Sequence, residues 1–186
     1  MVIESRLMTA EQLEAMPDDH LKRELIHGEV IVEMPPGFEH SVIALRVATH
    51  FMMYLAAHPI GVAAGEAGYI LRRDPDTVRA PDVAVILHSS RTFTELPRTF
   101  LPHAPDLVVE VVSPNDSAMA VNDKVTDWLE GGAQLVWVIY PTRPKLVAHY
   151  ADGQARTHGL NDKVDAMPVL PGFAVLLRDL LQPPQK

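Results

Sequence analysis

The segment DLVVEVV at residues 106–112 decides the fold, because it is an almost continuous apolar run that contains one internal carboxylate, Glu110. Such runs are typical of strands that are buried on both faces, as in the middle of an α/β sheet. Side chains alternate between the faces of a strand, so Val108, Glu110 and Val112 share one face. An ionised Glu110 among valines is costly unless a cationic partner, a raised pKa or a metal compensates it. Alternatively, Glu110 could simply reach solvent at the end of the strand.

Helix and strand patterns alternate on both sides of this segment. They predict a short helix with a Thr9–Gln12 capping box, a hairpin at 24–34 that turns at His27-Gly28, a helix at 41–57 capped by Ser41, strands at 62–71 and 79–87, a polar loop at about 88–105, a helix from 116 to about 130, a strand at 134–140, a hairpin formed by 145–150 and 154–158, and a short strand and helical turn within 170–181. This order predicts an α/β core with helices on both sides of a mixed sheet, plus an N-terminal and a C-terminal hairpin.

Length and composition limit the class of protein. The 186 residues fit one domain, 1–186, and the 47% hydrophobic content is enough for a sizeable core. The absence of cysteine excludes disulfides, thiolate zinc sites and cysteine nucleophiles. No run reaches the roughly 18 apolar residues of a membrane helix, and the N-terminus lacks the pattern of a signal peptide. We therefore expect a soluble, cytoplasmic protein without a membrane partner.

The charge balance counts against a general nucleic-acid binder. Lys and Arg total 16 whereas Asp and Glu total 24, which gives a net charge of −8. Phosphate contacts need basic surface, and the composition predicts none. A local basic groove remains compatible with this composition.

Asp82 opens the predicted strand that precedes DLVVEVV. An aspartate after a proline at a strand entrance is often only a turn residue. Carboxylates on neighbouring strands can also converge on one edge of a sheet, where Asp82 and Glu110 would suit Mg²⁺ or Mn²⁺. The carbonyl of Val111 could add a third protein ligand. The structural and the metal-binding interpretations both remain open from these residues alone.

Lys124 is the candidate cation for the same edge. On a helical wheel, the inward stripe consists of Val121, Val125, Trp128 and Leu129, while Asp123 and Asp127 face outward. Lys124 lies at the edge of the stripe, where a lysine can bury its stem and direct its amine towards the sheet. The position also suits an ordinary surface lysine or an ion pair with Asp127.

Three further residues are secondary candidates. His40 precedes the helix at 41–57 and could contact phosphate or a water molecule, although a histidine there is often a cap or a surface residue. Glu66 lies on the strand before Asp82 and could approach the same edge. Glu24 could line the site or pair with Lys22 or Arg23.

Several blocks, in order along the chain, resemble the Uma-two restriction endonuclease family. They are ELIHGEV at 24–30, Met34-Pro35-Pro36, His40, Gly65-Glu66, Pro81-Asp82-Val83, PDLVVEVVSP at 105–114, Asp123-Lys124, Trp137-Val138-Ile139 and Leu170-Pro171-Gly172-Phe173. The resemblance covers about residues 20–180. It implies a restriction-endonuclease-like fold of the PD-(D/E)XK superfamily, with Asp82 as the motif aspartate and Glu110 as the (D/E).

The lysine of the motif is displaced. Val112 stands where (D/E)XK has its lysine, and the resemblance points to Lys124 on the following helix instead. The resemblance implies hydrolysis of phosphodiester bonds in nucleic acid, with DNA as the expected substrate. The predicted catalytic residues are Asp82, Glu110, Lys124 and His40, and the predicted ligands of Mg²⁺ or Mn²⁺ are Asp82, Glu110 and Val111.

The alternative function is a non-catalytic nuclease-fold module for binding or assembly, which the net charge of −8 and the displaced lysine support. A nuclease that cuts only with a partner that supplies DNA affinity is a third. The Met-rich helix face near Met52, Met53 and Tyr54 and the C-terminal hairpin could bury surface between chains. We expect a homodimer, by analogy with nucleases of this class that pair to cut both strands.

Overall fold

The structure is a computed structural model that describes residues 7–17, 19–91 and 93–182. The elements within these ranges are α1 (Ala10–Glu14), β1 (Arg23–Ile26), β2 (Glu29–Val32), α2 (Phe38–Ala57), β3 (Gly61–Ala64), β4 (Tyr69–Arg72), β5 (Thr77–Arg79), β6 (Val83–Leu87), β7 (Leu101–Pro102), β8 (Leu107–Val111), α3 (Ala118–Glu130), β9 (Leu135–Tyr140), β10 (Lys145–Tyr150), β11 (Ala155–Gly159), β12 (Lys163–Ala166), β13 (Leu170–Leu176) and α4 (Leu177–Leu181). None of the described helices is long and apolar enough to cross a membrane.

The DLVVEVV segment contains β8, an interior strand of a six-stranded sheet with the order β11-β10-β9-β8-β6-β3. β8 runs parallel to β9 and antiparallel to β6, so the sheet is mixed, as predicted. All five residues of β8 are buried, including Glu110. The apolar run therefore indicated correctly that both faces of this strand are covered.

Two helices cover the opposite faces of this sheet. On one face, α2 packs through Ile43, Val47, Phe51 and Leu55 in a cluster that includes Val109 of β8. On the other face, Val125 and Trp128 of α3 belong to a cluster with Val108. The alternation of side chains along β8 is thus confirmed, and Glu110 faces α3.

The predicted start of α2 is wrong. The helix begins at Phe38 and its N-cap is Gly37, whereas Ser41 lies in the first turn and donates its hydroxyl to the Gly37 carbonyl at 3.3 Å. The helix begins as soon as the segment Pro35-Pro36-Gly37 ends, because the residues after it have no obstacle to helical dihedrals. The residues that α2 buries are Ile43, Val47, Phe51 and Leu55. Leu45 and Met52, which also lie at helical spacing, are 69% and 62% exposed.

The two predicted strands at 62–71 and 79–87 are each divided. The chain leaves β3 through Gly65–Gly68 before it enters β4, and it passes from β5 to β6 through residues 80–82. β4 and β5 belong to a five-stranded sheet with the order β2-β1-β5-β4-β7, whereas β3 and β6 belong to the central sheet. Each predicted strand therefore crosses from one sheet to the other, and continuous β-propensity does not reveal such a crossing.

Both predicted hairpins are confirmed. β1 and β2 pair around a turn in which His27 and Gly28 have φ values of 50° and 82°. Gly28 is needed there also because a Cβ atom would lie 2.6 Å from the Cβ of Leu7. β10 and β11 form the second hairpin. The short strand and helical turn predicted within 170–181 are confirmed as β13 and α4, whereas β7 and β12 were not predicted.

Candidate active site

Asp82 and Glu110 meet at one end of two adjacent strands. The register pairs Val83 of β6 with Val109 of β8. One further step along this antiparallel pair places Asp82 opposite Glu110, on the face that α3 covers. The predicted convergence of the two carboxylates therefore follows from the register of β6 and β8.

Each carboxylate is anchored through one of its oxygens. Oδ2 of Asp82 accepts a hydrogen bond from the backbone N–H of Val111 at 2.7 Å. Oε1 of Glu110 accepts one from the indole N–H of Trp128 at 2.7 Å. These donors leave Oδ1 of Asp82 and Oε2 of Glu110 as the oxygens that face the lysines of the site.

Two lysines flank this pair of carboxylates. Nζ of Lys124 lies 3.7 Å from Oε2 of Glu110, and Nζ of Lys22 lies 4.0 Å from Oδ1 of Asp82. Both ammonium groups also bind Glu33, Lys124 at 2.9 Å and Lys22 at 3.0 Å. Negative and positive side chains therefore alternate in the site, in the order Asp82, Lys22, Glu33, Lys124 and Glu110, and Glu33 links the two lysines.

His40 contacts Asp82 directly. Its Nε2 lies 3.1 Å from Oδ2 of Asp82, while its Nδ1 is buried without a hydrogen-bond partner among the described residues. Burial lowers the pKa of His40, but the hydrogen bond to Asp82 and the charge of that carboxylate raise it more, so the net shift is upward. His40 is thus placed to orient Asp82.

Asp127 does not face outward, and it is not the partner of Lys124. Its Oδ2 binds the guanidinium of Arg79 at 2.6 and 2.9 Å. Arg79 also binds Glu24 at 2.7 Å, and the second oxygen of Glu24 accepts the N–H of Ala80 at 2.9 Å. Glu24 is 1% exposed and is held in this ion-pair network, not by Lys22 or Arg23. The network joins β1, β5 and α3 beside the site.

The burial of Glu110 disfavours its charged form. Burial raises the pKa of Glu110 to about 7, with Lys124 acting to lower it and Asp82 acting to raise it. Burial lowers the pKa of Lys124, but the carboxylates of Glu110, Glu24 and Glu33 more than offset this, so its pKa is raised. Lys124 therefore stays charged, while Glu110 lacks enough positive charge to be fully ionised at neutral pH.

A cleft of about 460 Å³ opens onto these groups. Its walls include Lys22, Glu33, His40, Asp82, Glu110, Lys124 and, at the exposed rim, Glu66. Glu66 lies in the loop after β3 and not on a strand, with a φ of 51°. The cleft brings together the predicted residues Asp82, Glu110, Lys124 and His40, with Val111 also in its wall.

The donor set fits a hard divalent cation. Asp82 and Glu110 each present an oxygen whose nearest cation is a lysine at 3.7 Å or more, beyond a normal hydrogen bond. Within residues 7–17, 19–91 and 93–182, no group of three or more His, Asp or Glu side chains is placed to hold a metal. Mg²⁺ commonly takes one or two protein carboxylates and fills its remaining positions with water and substrate. Two carboxylates are within the number that Mg²⁺ takes from a protein, and metal binding here stays a prediction.

The sequence did not single out Lys22 and Glu33 as site residues. The pairing of Arg23 with Val32 places Lys22 opposite Glu33 one step beyond the hairpin ladder, so their mutual contact could have been found from the turn. Their proximity to Asp82 and Lys124 depends on how the five-stranded sheet sits against the central sheet. No local pattern in the sequence encodes that arrangement.

Comparison with known proteins supplies the family. A family model described as "Uma2: Putative restriction endonuclease" matches residues 10–179. The chain belongs to the Uma2 family. The family that the sequence blocks predicted is therefore confirmed.

This Uma2 protein is similar to a solved structure, the crystal structure of a "putative nuclease belonging to DUF820" from Anabaena variabilis. The two chains are 20% identical, the match covers 94% of this chain and 97% of the other, and the TM-score is 0.81. At that identity the likeness concerns the fold, and it confirms the predicted mixed α/β fold of a nuclease-like protein. No curated protein matches the chain.

Lys124, and not Val112, is the cation beside Glu110. Val112 follows β8 and packs against the cluster below α3, so it presents no charge to the carboxylates. The ammonium of Lys124 approaches Glu110 from α3 instead, at 3.7 Å. A catalytic role for Lys124 stays a prediction.

Proposed function

We propose that this Uma2 protein is a divalent-metal-dependent endonuclease that hydrolyses phosphodiester bonds in nucleic acid, with DNA as its substrate. The observation that carries the proposal is the meeting of Asp82 and Glu110 at the end of β6 and β8, with Lys124 beside them. Membership of the Uma2 restriction endonuclease family supports the reaction class.

Each residue has a role that follows from its contacts. Asp82 and Glu110, with the carbonyl of Val111, would hold Mg²⁺ or Mn²⁺. When bound, such a cation offsets negative charge on a phosphodiester and makes a water molecule more acidic. The ammonium of Lys124 would orient the attacking water or stabilise the charge that develops on the phosphate oxygens. His40 and Trp128 would keep the two carboxylates oriented through their hydrogen bonds.

A second cleft supports a path for the nucleic-acid strand. It measures about 680 Å³ and shares Val112, Ser113, Pro114, Asp116 and Val121 with the wall of the first cleft. Arg143, Lys145 and His149 also line it. Arg143 and Lys145 are cationic, whereas burial lowers the pKa of His149. The local pair of cations is compatible with phosphate binding even though the whole chain carries a net charge of −8.

The test is cleavage by purified protein of supercoiled DNA, linear DNA and single-stranded RNA, with Mg²⁺, Mn²⁺ or EDTA. Asp82→Asn and Glu110→Gln should abolish a metal-dependent activity that the wild type shows. Asp123→Asn removes the same charge from an exposed position on α3 next to Lys124, and it should keep the activity. Absence of cleavage of every substrate by the wild type would contradict the proposal. If such a protein also failed to bind Mn²⁺ specifically, the non-catalytic binding module would be favoured.

We also propose a homodimer through the outer face of α2. Phe38, Leu45 and Met52 recur every seven residues and are 87%, 69% and 62% exposed, and the adjacent Met53 is 68% exposed. Residues at this spacing share one side of a helix. Although the exposed Ser41 and Thr49 lie between them, these apolar side chains give one side of this twenty-residue helix an apolar character that suits association.

A further inference from the structure

Glu33 occupies the space between the two lysines of the cleft. Its Oε1 binds Lys124 of α3 at 2.9 Å, and its Oε2 binds Lys22 of the hairpin at 3.0 Å. Each lysine also faces one of the paired carboxylates, Lys22 towards Asp82 and Lys124 towards Glu110. An anion held by both ammonium groups would therefore lie directly beside Asp82 and Glu110.

The side chain of Glu33 can leave this position without moving the fold. Its backbone N–H donates to the carbonyl of Lys22 at 3.0 Å, which fixes the main chain just beyond the end of β2. The segment that follows is open to solvent, since Met34 is 85% exposed. The Glu33 side chain is itself 23% exposed, so rotation about its side-chain bonds would release both lysines.

A carboxylate with one oxygen on each ammonium resembles a phosphate that bridges the same two lysines. Both groups offer two anionic oxygens on one central atom, and lysine is a common phosphate ligand. In the free protein, Glu33 pairs with both lysines and offsets their charge. A phosphodiester must displace it before it can reach Lys22 and Lys124.

We propose that Lys22 and Lys124 form a two-lysine clamp for a backbone phosphate of nucleic acid, and that Glu33 occludes this clamp until the phosphate replaces it. The inference rests on the proposed nuclease function and deepens it, because it assigns the residues that receive the substrate phosphate. It also gives the two half-buried lysines a partner, Glu33, when no phosphate is bound.

The competing account is that Glu33 is only a cross-strand ion pair that stabilises the hairpin. Under that account, loss of its charge should not create an anion site, because Lys22 and Lys124 would still be held by Asp82 and Glu110. The two accounts predict opposite results for the affinity of the protein for phosphate groups.

The test measures binding of a short fluorescein-labelled DNA duplex by fluorescence anisotropy, in EDTA so that no cleavage occurs. Glu33→Gln keeps the shape of the side chain and removes its charge. Glu29→Gln removes the same charge from an exposed position on β2 and serves as the matched control. We expect Glu33→Gln to bind about tenfold tighter than Glu29→Gln, a ratio that corresponds to about 1.4 kcal/mol.

A second variant tests whether the gain in affinity depends on the two lysines. Lys22→Gln in the Glu33→Gln background should return the affinity to that of Glu29→Gln, because one arm of the clamp is gone. Thermal unfolding of each variant confirms that the variants are folded. Equal affinity of Glu33→Gln and Glu29→Gln, or no measurable binding by either, would overturn the clamp.

The readout separates this inference from the proposed function. Tighter binding by Glu33→Gln without metal-dependent cleavage by the wild type would support the clamp and contradict the nuclease. Cleavage that depends on Asp82 and Glu110, with no effect of Glu33→Gln on binding, would support the nuclease and contradict the clamp.

Discussion

Arg79 should be one of the most sensitive positions for stability in this protein. Its guanidinium binds Glu24 at 2.7 Å and Asp127 at 2.6 Å, and the side chains of Arg79, Glu24 and Asp127 are 6%, 1% and 13% exposed. Removing one partner of a buried pair leaves the other charge uncompensated and costs about 3–5 kcal/mol. Arg79→Met keeps most of the apolar stem, so this cost should come mainly from the two stranded carboxylates.

The matched control is Arg72→Met. Arg72 also binds a carboxylate of α3, Glu130 at 2.7 Å, but the two side chains are 39% and 60% exposed. Exposed pairs contribute about 0–1 kcal/mol. Urea unfolding, monitored by circular dichroism, gives the free energy of unfolding of each of the two variants. For a chain of this size, the loss in Arg79→Met corresponds to a fall in Tm of roughly 6–20 °C.

Neutralising the stranded partners provides a rescue. Glu24→Gln with Asp127→Asn in the Arg79→Met background should recover part of the lost stability, because no buried charge is then left unpaired. Equal losses in Arg79→Met and Arg72→Met would refute the assignment of a buried network. A failure of the two neutral substitutions to restore any stability would refute the electrostatic cause.

Three further outcomes are expected. Because the pKa of Glu110 is raised from 4.5 to about 7, its contribution to stability is present below the unfolded pKa and is lost as pH rises through about 7. In metal-free buffer, Glu110→Gln should therefore gain stability relative to the wild type between about pH 5 and about pH 8, and an unchanged difference in urea midpoints would contradict this. Leu45→Glu with Met52→Glu should convert a dimer to a monomer in sedimentation velocity without lowering Tm, and an unchanged sedimentation coefficient would contradict the α2 interface. Arg143→Ala with Lys145→Ala should weaken DNA binding and reduce the slope of log affinity against log salt by about 1–2, whereas an unchanged slope would exclude these residues from the phosphate path.

The sequence predicted the central strand and its carboxylate well because both depend on local pattern. The apolar run around Glu110 requires burial on both faces, and alternation then sets the face on which Glu110 lies. The prediction that Asp82 lies beside Glu110 also required the register of β6 against β8, which the sequence implied only through the family resemblance. The turn at His27-Gly28 was predicted for the same local reason.

The remaining features depend on long-range packing. The spacing of apolar residues in α2 was helical, but it did not decide whether Phe51 or Met52 would face the sheet. The outward position assigned to Asp127 was wrong because Arg79 comes from a strand of another sheet. Glu33 reaches Lys124 across 91 positions of sequence, so only the folded arrangement of the hairpin against α3 brings them together.

The most direct test of a metal site at Asp82 and Glu110 is a Mn²⁺ titration of ¹⁵N-labelled protein, followed by NMR, with the two tryptophan indole N–H signals assigned. Trp128 donates its indole N–H to Glu110 at 2.7 Å, whereas Trp137 lies in the cluster on the α2 face of the sheet. A cation held by Asp82 and Glu110 should broaden the Trp128 signal at low Mn²⁺ concentrations and leave that of Trp137 much sharper. The effect should disappear in Asp82→Asn and persist in Asp123→Asn. Equal broadening of both indoles, or the same selective broadening in Asp82→Asn, would contradict a metal site at this pair of carboxylates.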